Sequence, residues 1–305
     1  MAKILISGGS GLLGRAITQL FLKNKHQVVW LSRNAQQIPG VKVYEWNWEK
    51  NSIDIKAFEN IDVLINLAGA GIVDKAWTND YKKEIIDSRV ESTRLLVETV
   101  EKNKIQLKHF IGASAVGYYG SEASEMVYSE SSVAGSDFMA ETCARWESAY
   151  IPFELLTKKS TIFRLGIVLS NEGGALPKMV LPFKYGFGAS LGSGKQYFPW
   201  IHIDDLSKLF LYAVETTHLS GTFNAVAPNI VTNLEFSKTL AKSLNRPFFL
   251  PQVPEFMLKL FLGERHLALT RGLKISSEKL IDAGFQFDYK NIEEALKALN
   301  VIKTR

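Results

Sequence analysis

Four glycines packed into seven residues constrain this chain more than anything else in it. The stretch Ile4-Leu5-Ile6-Ser7-Gly8-Gly9-Ser10-Gly11-Leu12-Leu13-Gly14 is a short apolar run emptying into a glycine turn, followed by a helical pattern from Leu12 to Phe21. An apolar run of that length fits a buried parallel strand. Glycines at Gly8, Gly11 and Gly14 let the backbone turn tightly, approach a pyrophosphate and pack the following helix against a sheet, with the helix N-terminus offering unpaired N–H groups to phosphate. Two spacings are satisfied together, Gly9-x-Gly11-x-x-Gly14 and Gly8-x-x-Gly11-x-x-Gly14. The competing explanation is a sharp loop with no ligand.

The next 150 residues keep the same rhythm. Strands are expected at Gln27–Leu31, Val41–Trp48, Asp62–Leu67, His109–Ala113 and Ser160–Leu169, with helices over Asn79–Lys102 and Phe138–Leu156. Strands alternating with helices predict an α/β fold, a doubly wound parallel sheet of the NAD(P)-binding Rossmann type. The second strand runs out at Ser32-Arg33-Asn34, nearly 20 residues past the glycine loop. An acid there would select the ribose 2′-hydroxyl of NAD, whereas Arg33 suits the 2′-phosphate of NADP through charge-assisted hydrogen bonds. With no acid beside it, Arg33 favours NADP(H). Small residues at Ala68-Gly69-Ala70-Gly71 leave room for a cofactor at the fourth strand end.

Beyond residue 170 the pattern loosens into glycine- and proline-marked loops, then a helix opening at Ile203, helical patterns over Asn233–Leu244 and Asn291–Leu299, and an amphipathic Phe256–Leu262. The expected division is a dinucleotide-binding domain over 1–170, with 200–226 returning to it, and a smaller C-terminal substrate lobe from 171–199 and 227–305. The 305-residue chain is large enough for both.

Composition removes other classes. A net charge of +5 is carried by scattered lysines, with Lys82-Lys83 and Lys158-Lys159 the densest pairs, which reads as solvated surface with neither nucleic acid nor membrane as partner. There is no apolar run of membrane-spanning length. The chain opens straight into a strand without a basic-then-apolar leader, and its one cysteine, Cys143, cannot form an internal disulfide, so a cytoplasmic location is expected.

The glycine loop, Asn66-Leu67-Ala68-Gly69, the serine-bearing strand end and Arg164-Leu165-Gly166-Ile167-Val168 together resemble the extended short-chain dehydrogenase/reductases of the nucleoside-diphosphate-sugar epimerase type. Ser114-Ala-Val-Gly-Tyr-Tyr119, the stretch from Leu191 to Leu206 and Asn224-Ala-Val-Ala-Pro are similar to a subgroup of epimerase-family proteins with its own C-terminal extension. The likeness covers essentially the whole chain. It implies cofactor contacts from Gly8, Gly11, Leu12, Leu13, Gly14, Ser32, Arg33, Leu67, Ala68, Gly69, Glu84 and Arg89, with Val168 at the nicotinamide end. Trp200 and His202 become candidate substrate contacts, the substrate being a small molecule, and a homodimer is compatible with the family.

The proton relay of that superfamily is missing. Hydride transfer there normally uses a Tyr-x-x-x-Lys pair and a serine. Ser114 fits the serine, but if Glu147 is the matching acid, Met139 stands for the tyrosine and Cys143 for the lysine. No tyrosine stands four before a lysine anywhere from 118 to 160. The remaining donors are Tyr118 or Tyr119 beside Ser114, His202 with Asp204, and Glu141 or Arg145. Three functions stay open: an NADP-dependent oxidoreductase or epimerase acting on a carbonyl compound or nucleotide sugar, a non-catalytic NADPH sensor or scaffold, and a sugar-nucleotide binder without turnover.

Overall fold

A computed structural model describes residues 1–34, 38–121 and 125–301. Its first part runs β1 (Lys3–Ser7), α1 (Leu12–Lys23), β2 (Gln27–Ser32), β3 (Val41–Asn47), β4 (Ser52–Ile53), β5 (Val63–Asn66), α2 (Asn79–Lys102) and β6 (His109–Ala115). After β7 (Val127–Tyr128) come α3 (Phe138–Tyr150), α4 (Phe153–Leu156), β8 (Ser160–Leu165), β9 (Ile167–Leu169), α5 (Ala175–Lys184), β10 (Trp200–His202), α6 (Ile203–Glu215) and β11 (Gly221–Ala225). The C-terminal part holds α7 (Asn233–Ser243), α8 (Glu255–Leu262), α9 (Leu267–Thr270), β12 (Lys274–Ile275), α10 (Glu278–Asp282) and α11 (Ile292–Ala298).

Eight strands form one sheet in the order β11-β8-β6-β5-β1-β2-β3-β4, parallel throughout except for β4, which runs antiparallel to β3. The continuous apolar run of β1 is explained by helices on both faces. Ile4 and Ile6 point to one side, where they meet Ile17 and Phe21 of α1 and Leu206 and Phe210 of α6. Leu5 points to the other, among Leu95 and Leu96 of α2 and Trp146 and Tyr150 of α3. A strand covered on both sides has no reason to alternate with polar residues. From β1 the chain winds outward through β2 and β3, then returns to place β5 on β1's other side. That reversal opens a crevice at the strands' C-terminal ends, where open α/β sheets take ligands.

Two expected elements break, each for a local reason. The helix anticipated over 138–156 stops at Tyr150, because Pro152 cannot continue it and restarts the chain as α4. The strand anticipated over 160–169 divides at Gly166, whose N–H still donates to Ala225 O (3.1 Å) while the Ile167 N–H donates to Pro199 O (2.7 Å). A methyl group on Gly166 would sit 2.8 Å from Pro199 O. So β8 stays in the large sheet, and β9 leaves it to pair with β10. The α8 helix is as apolar as its sequence suggests but buries none of its residues, with Phe256, Leu260 and Phe261 all exposed. No described helix is long and apolar enough to cross a membrane.

His109, at the start of β6, sets up a pH dependence. Thr161 Oγ1 donates to Leu219 O (2.6 Å), so it can only accept from His109 Nε2 (2.8 Å), leaving Nδ1 buried and bare. Burial, helped by Lys159, pushes the imidazole down to about 3. The unfolded chain therefore binds a proton near pH 6.5 that the folded chain refuses, and stability present above that pH falls as pH drops toward 3. Between about pH 6 and 4 the slope from this group approaches about 1.4 kcal/mol per pH unit. Comparing urea midpoints of wild type and His109→Gln across that range checks it: the variant should show a shallower decline.

Candidate functional site

The glycine loop is built by close approach. Gly8 has φ +76°, and a methyl there would lie 2.9 Å from the Leu67 carbonyl carbon, so the ends of β1 and β5 touch through it. A methyl on Gly14 would lie 2.4 Å from Gly8 O, which is why α1 can start so near the strand. Gly11 differs. Its N–H donates to Gly8 O (3.1 Å), and a methyl there would meet only that same oxygen, at 3.3 Å. Gly11 also caps α1 with no side-chain hydrogen bond and no acid in the first turn, so the helix presents its orphan N–H groups outward. Beneath the loop, Ser7 Oγ donates to Asn66 Oδ1 (2.5 Å), and Asn66 Nδ2 donates to Thr93 Oγ1 (2.9 Å), fixing the two strand ends together.

From this loop a groove of about 450 Å³ runs along the ends of β5, β1 and β2, lined by Gly8, Gly11, Leu67 to Gly71, Ser32, Arg33, Glu84 and Ser88. Ser32 is buried and its Oγ accepts from the Asn34 N–H (3.3 Å). Arg33 is exposed and makes no ion pair with any described residue. Two expectations need correcting here. The groove is not free of acid at this end, because the fold brings Glu49 into it beyond β3. Nor does Arg89 line it: its guanidinium is buried behind Gly69, donating to Ala70 O (3.0 Å) and Ile85 O (2.8 Å) and stacking on Trp146 at 4.8 Å. Arg89 therefore holds the 69–71 turn in place, while Glu84 reaches the groove and pairs with Lys75 (3.1 Å). The side chains of Leu12 and Leu13 turn away, Leu12 packing near Gly174 and Leu13 against the core, so these two residues meet the groove only through the backbone N–H groups that open α1.

A second cavity, of about 320 Å³, continues along the same sheet edge at the ends of β6 and β8. Ala115, Val116 and Gly117 form one wall, Leu165 to Ile167 another, and Met139 of α3 reaches in where the relay tyrosine would be expected. Cys143 lies behind Gly117, its thiol pushed up to about 12 by burial and by Glu147, so it stays protonated.

None of the expected catalytic trio lines this cavity. Ser114 Oγ donates to Glu147 Oε1 (2.6 Å), and Glu147 receives both Nε (2.9 Å) and Nη2 (2.8 Å) of Arg164. Arg164 Nη1 donates to the Tyr119 hydroxyl (2.9 Å), which in turn donates to Asn224 Oδ1 (2.7 Å). The guanidinium lies 3.4 Å over the Tyr118 ring. Ser114, Tyr118 and Tyr119 are thus parts of a buried ionic cluster joining β6, α3, β8 and β11, with the Tyr119 hydroxyl pushed up by burial. The sequence did carry a signal for it: an arginine inside a strand otherwise buried needs a carboxylate partner. Glu141 and Arg145 pair with each other on the surface of α3 (2.5 Å).

The expected substrate contacts are also structural. Trp200 is fully buried, its indole N–H donating to Asn229 O (3.1 Å). His202 caps α6, with Nδ1 accepting from the Asp204 N–H (3.1 Å) and the ring tilted against that of Tyr289, centroids 3.9 Å apart. Burial lowers its pKa, so it stays a neutral acceptor at Nδ1. Val168 pairs with Ile201 and packs on the core, lining neither cavity.

Sequence comparison then decides the family: a model of the NAD dependent epimerase/dehydratase family matches residues 4–225. The chain belongs to that family. A second model, a domain of unknown function (DUF1731), matches residues 253–299 of this epimerase-family chain. Its relatives include the epimerase family protein YfhF of Bacillus subtilis, 37% identical over 297 residues and 97% of each chain. A crystal structure of the human epimerase family protein SDR39U1 with NADPH is similar at TM-score 0.88 and 32% identity, over 98% of this chain and 99% of that one. UDP-glucuronic acid 4-epimerase from Bacillus cereus, with UDP-glucuronic acid and NAD, shares the fold alone, at TM-score 0.77 and 19% identity over 98% of each chain.

Proposed function

We propose that the chain binds NADP(H) along the groove and turns the nicotinamide toward the apolar cavity, as an epimerase-like oxidoreductase of small molecules. The observation that carries this is the succession of groove and cavity along one sheet edge, with the glycine loop at the start and Met139 at the end. The groove's features fit a dinucleotide: an open face at Gly11 and an uncapped helix N-terminus for the pyrophosphate, with Ser32 and Arg33 at the adenosine end. The human relative's NADPH complex supports the same choice. When bound, NADPH supplies a hydride. The chain's own part is to hold the phosphates on α1, fix the 69–71 turn through Arg89, and keep water away from the reacting end with Met139 and the neutral Cys143. On this reading, residues 1–170 with 200–226 bind the cofactor and the remainder shapes the cavity, though Phe285 and Phe287 pack into the sheet's core.

The structure gives one specific reason to keep the sensor reading alongside it. Where the relay tyrosine and lysine would stand are a thioether and a protonated thiol, and the neighbouring serine and tyrosines are committed to Arg164 and Glu147. A screen of NADPH oxidation against carbonyl compounds and nucleotide sugars separates the two: turnover supports the oxidoreductase, tight NADPH binding without turnover the sensor.

Arg33 tests the cofactor choice. A charge-assisted contact to the 2′-phosphate contributes about 1.5 to 3 kcal/mol. Arg33→Ala is therefore expected to reduce the preference for NADPH over NADH by roughly 10- to 100-fold in fluorescence titrations. Unchanged preference would shift discrimination to another residue.

A further inference from the structure

The cavity beyond Met139 has a chemistry that points away from charged substrates. Its walls are side chains such as Trp77, Phe138, Met139, Met179, Leu267 and Leu273. Among the described residues only two charged groups line it, and both are engaged. Asp137 caps α3 by accepting from the Ala140 N–H (2.9 Å), and Arg271 Nη2 pairs with Glu255 Oε1 (3.2 Å).

Apart from Ser121, whose hydroxyl has no described partner, the neutral polar side chains are committed in the same way. Gln196 Nε2 donates to Leu191 O (2.9 Å) and Leu269 O (3.2 Å), Asn233 Oδ1 accepts from the Leu191 N–H (2.8 Å), and the Tyr197 hydroxyl donates to Glu125 (3.1 Å). Each of these bonds ties the wall to itself or to a neighbouring segment, so a ligand could claim them only by undoing the wall.

We propose that this cavity takes an uncharged, largely apolar molecule and not a nucleotide sugar. A diphosphate would bring at least two negative charges against one cation already neutralised by Glu255, and a buried charge without partners is strongly disfavoured. A sugar's several hydroxyls would find only the Ser121 hydroxyl and the Asn233 Nδ2 group unengaged among the lining side chains described above, and leaving polar groups unpaired on binding forfeits affinity. The cavity's volume lies at the small end of the range for ligand sites, which suits a compact apolar molecule. Two methionines in the lining adapt to irregular apolar shapes. The inference rests on the cofactor reading only in naming this molecule as the substrate; the binding preference itself comes from the walls.

Calorimetric titration of the full-length protein tests it, with 2-octanone and UDP-glucose as probes, each with and without saturating NADPH. The expected result is saturable 2-octanone binding at least tenfold tighter than UDP-glucose. Met179→Glu should weaken 2-octanone at least tenfold while Met179→Leu retains it. If Met179→Glu does not fold, Leu267→Glu places the charge on another wall. UDP-glucose binding as tightly as the ketone, no saturable ketone binding, or a charge in the wall without effect overturns the inference. Failure of NADPH to bind overturns the cofactor reading instead, and the cofactor-free titration still decides the cavity's preference.

Discussion

Arg164→Met should lower stability by about 3 to 5 kcal/mol, because it strips the partner from Glu147 and leaves a carboxylate enclosed by protein. Both groups are almost completely out of solvent, with side-chain exposures of 5% and 12%. Their two-pronged contact is one of several that fail together, since Tyr119 loses its donor and Tyr118 its overlying cation. Urea unfolding tracked by far-ultraviolet circular dichroism measures the change. The double variant Arg164→Met with Glu147→Leu should recover most of the loss, because removing both charges also removes the cost of burying them. A single variant that unfolds at the wild-type midpoint would mean that the cluster does not hold β6, α3 and β8 together. Ser114→Ala belongs to the same set and should act mainly on stability.

Gly11→Val should remove NADPH binding while the protein stays folded, with affinity down at least a hundredfold. A side chain here projects into the groove: its first carbon meets only Gly8 O, at 3.3 Å. The backbone at Gly11 has φ −70° and ψ 171°, which valine adopts freely. The loss would come from excluding the pyrophosphate from the loop. Gly14→Val is the contrasting control, because its side chain would collide with Gly8 and Gly9 backbone, at 2.4 and 2.5 Å, and should disrupt the loop itself. Full NADPH affinity in a folded Gly11→Val protein would remove the groove as the cofactor site.

The readable parts of this fold are those written in consecutive residues. Strand β1, its glycine turn and the 79–102 helix come from local pattern, as does the parallel sheet they imply. Glu147 and Arg164 are visible as residues, but their pairing is a tertiary fact that redirects Ser114 and Tyr119 from chemistry to support. A serine at a strand end and a tyrosine after it look alike whether they face a ligand or a buried arginine. Trp200 and His202 misled for a related reason: a motif of aromatic and ionisable residues fits a substrate site, yet here the indole and imidazole satisfy backbone groups. Glu49 joins the groove only because β3 lies beside β2, which no local spacing announces.

The departure of the chain at Gly166 has a consequence for synthesis. Strand β8 pairs with β6 on one side, but its other edge is covered only by β11, which comes after the whole excursion through α5, β10 and α6. While the ribosome makes that excursion, β8 presents an open row of backbone donors and acceptors, the kind of edge that recruits other chains. Asn224, the residue of β11 that receives the Tyr119 hydroxyl, arrives last and completes the buried polar cluster as it closes the edge. The last strand to join the large sheet thus acts as a latch, and a nascent chain is exposed to wrong partners until it falls into place.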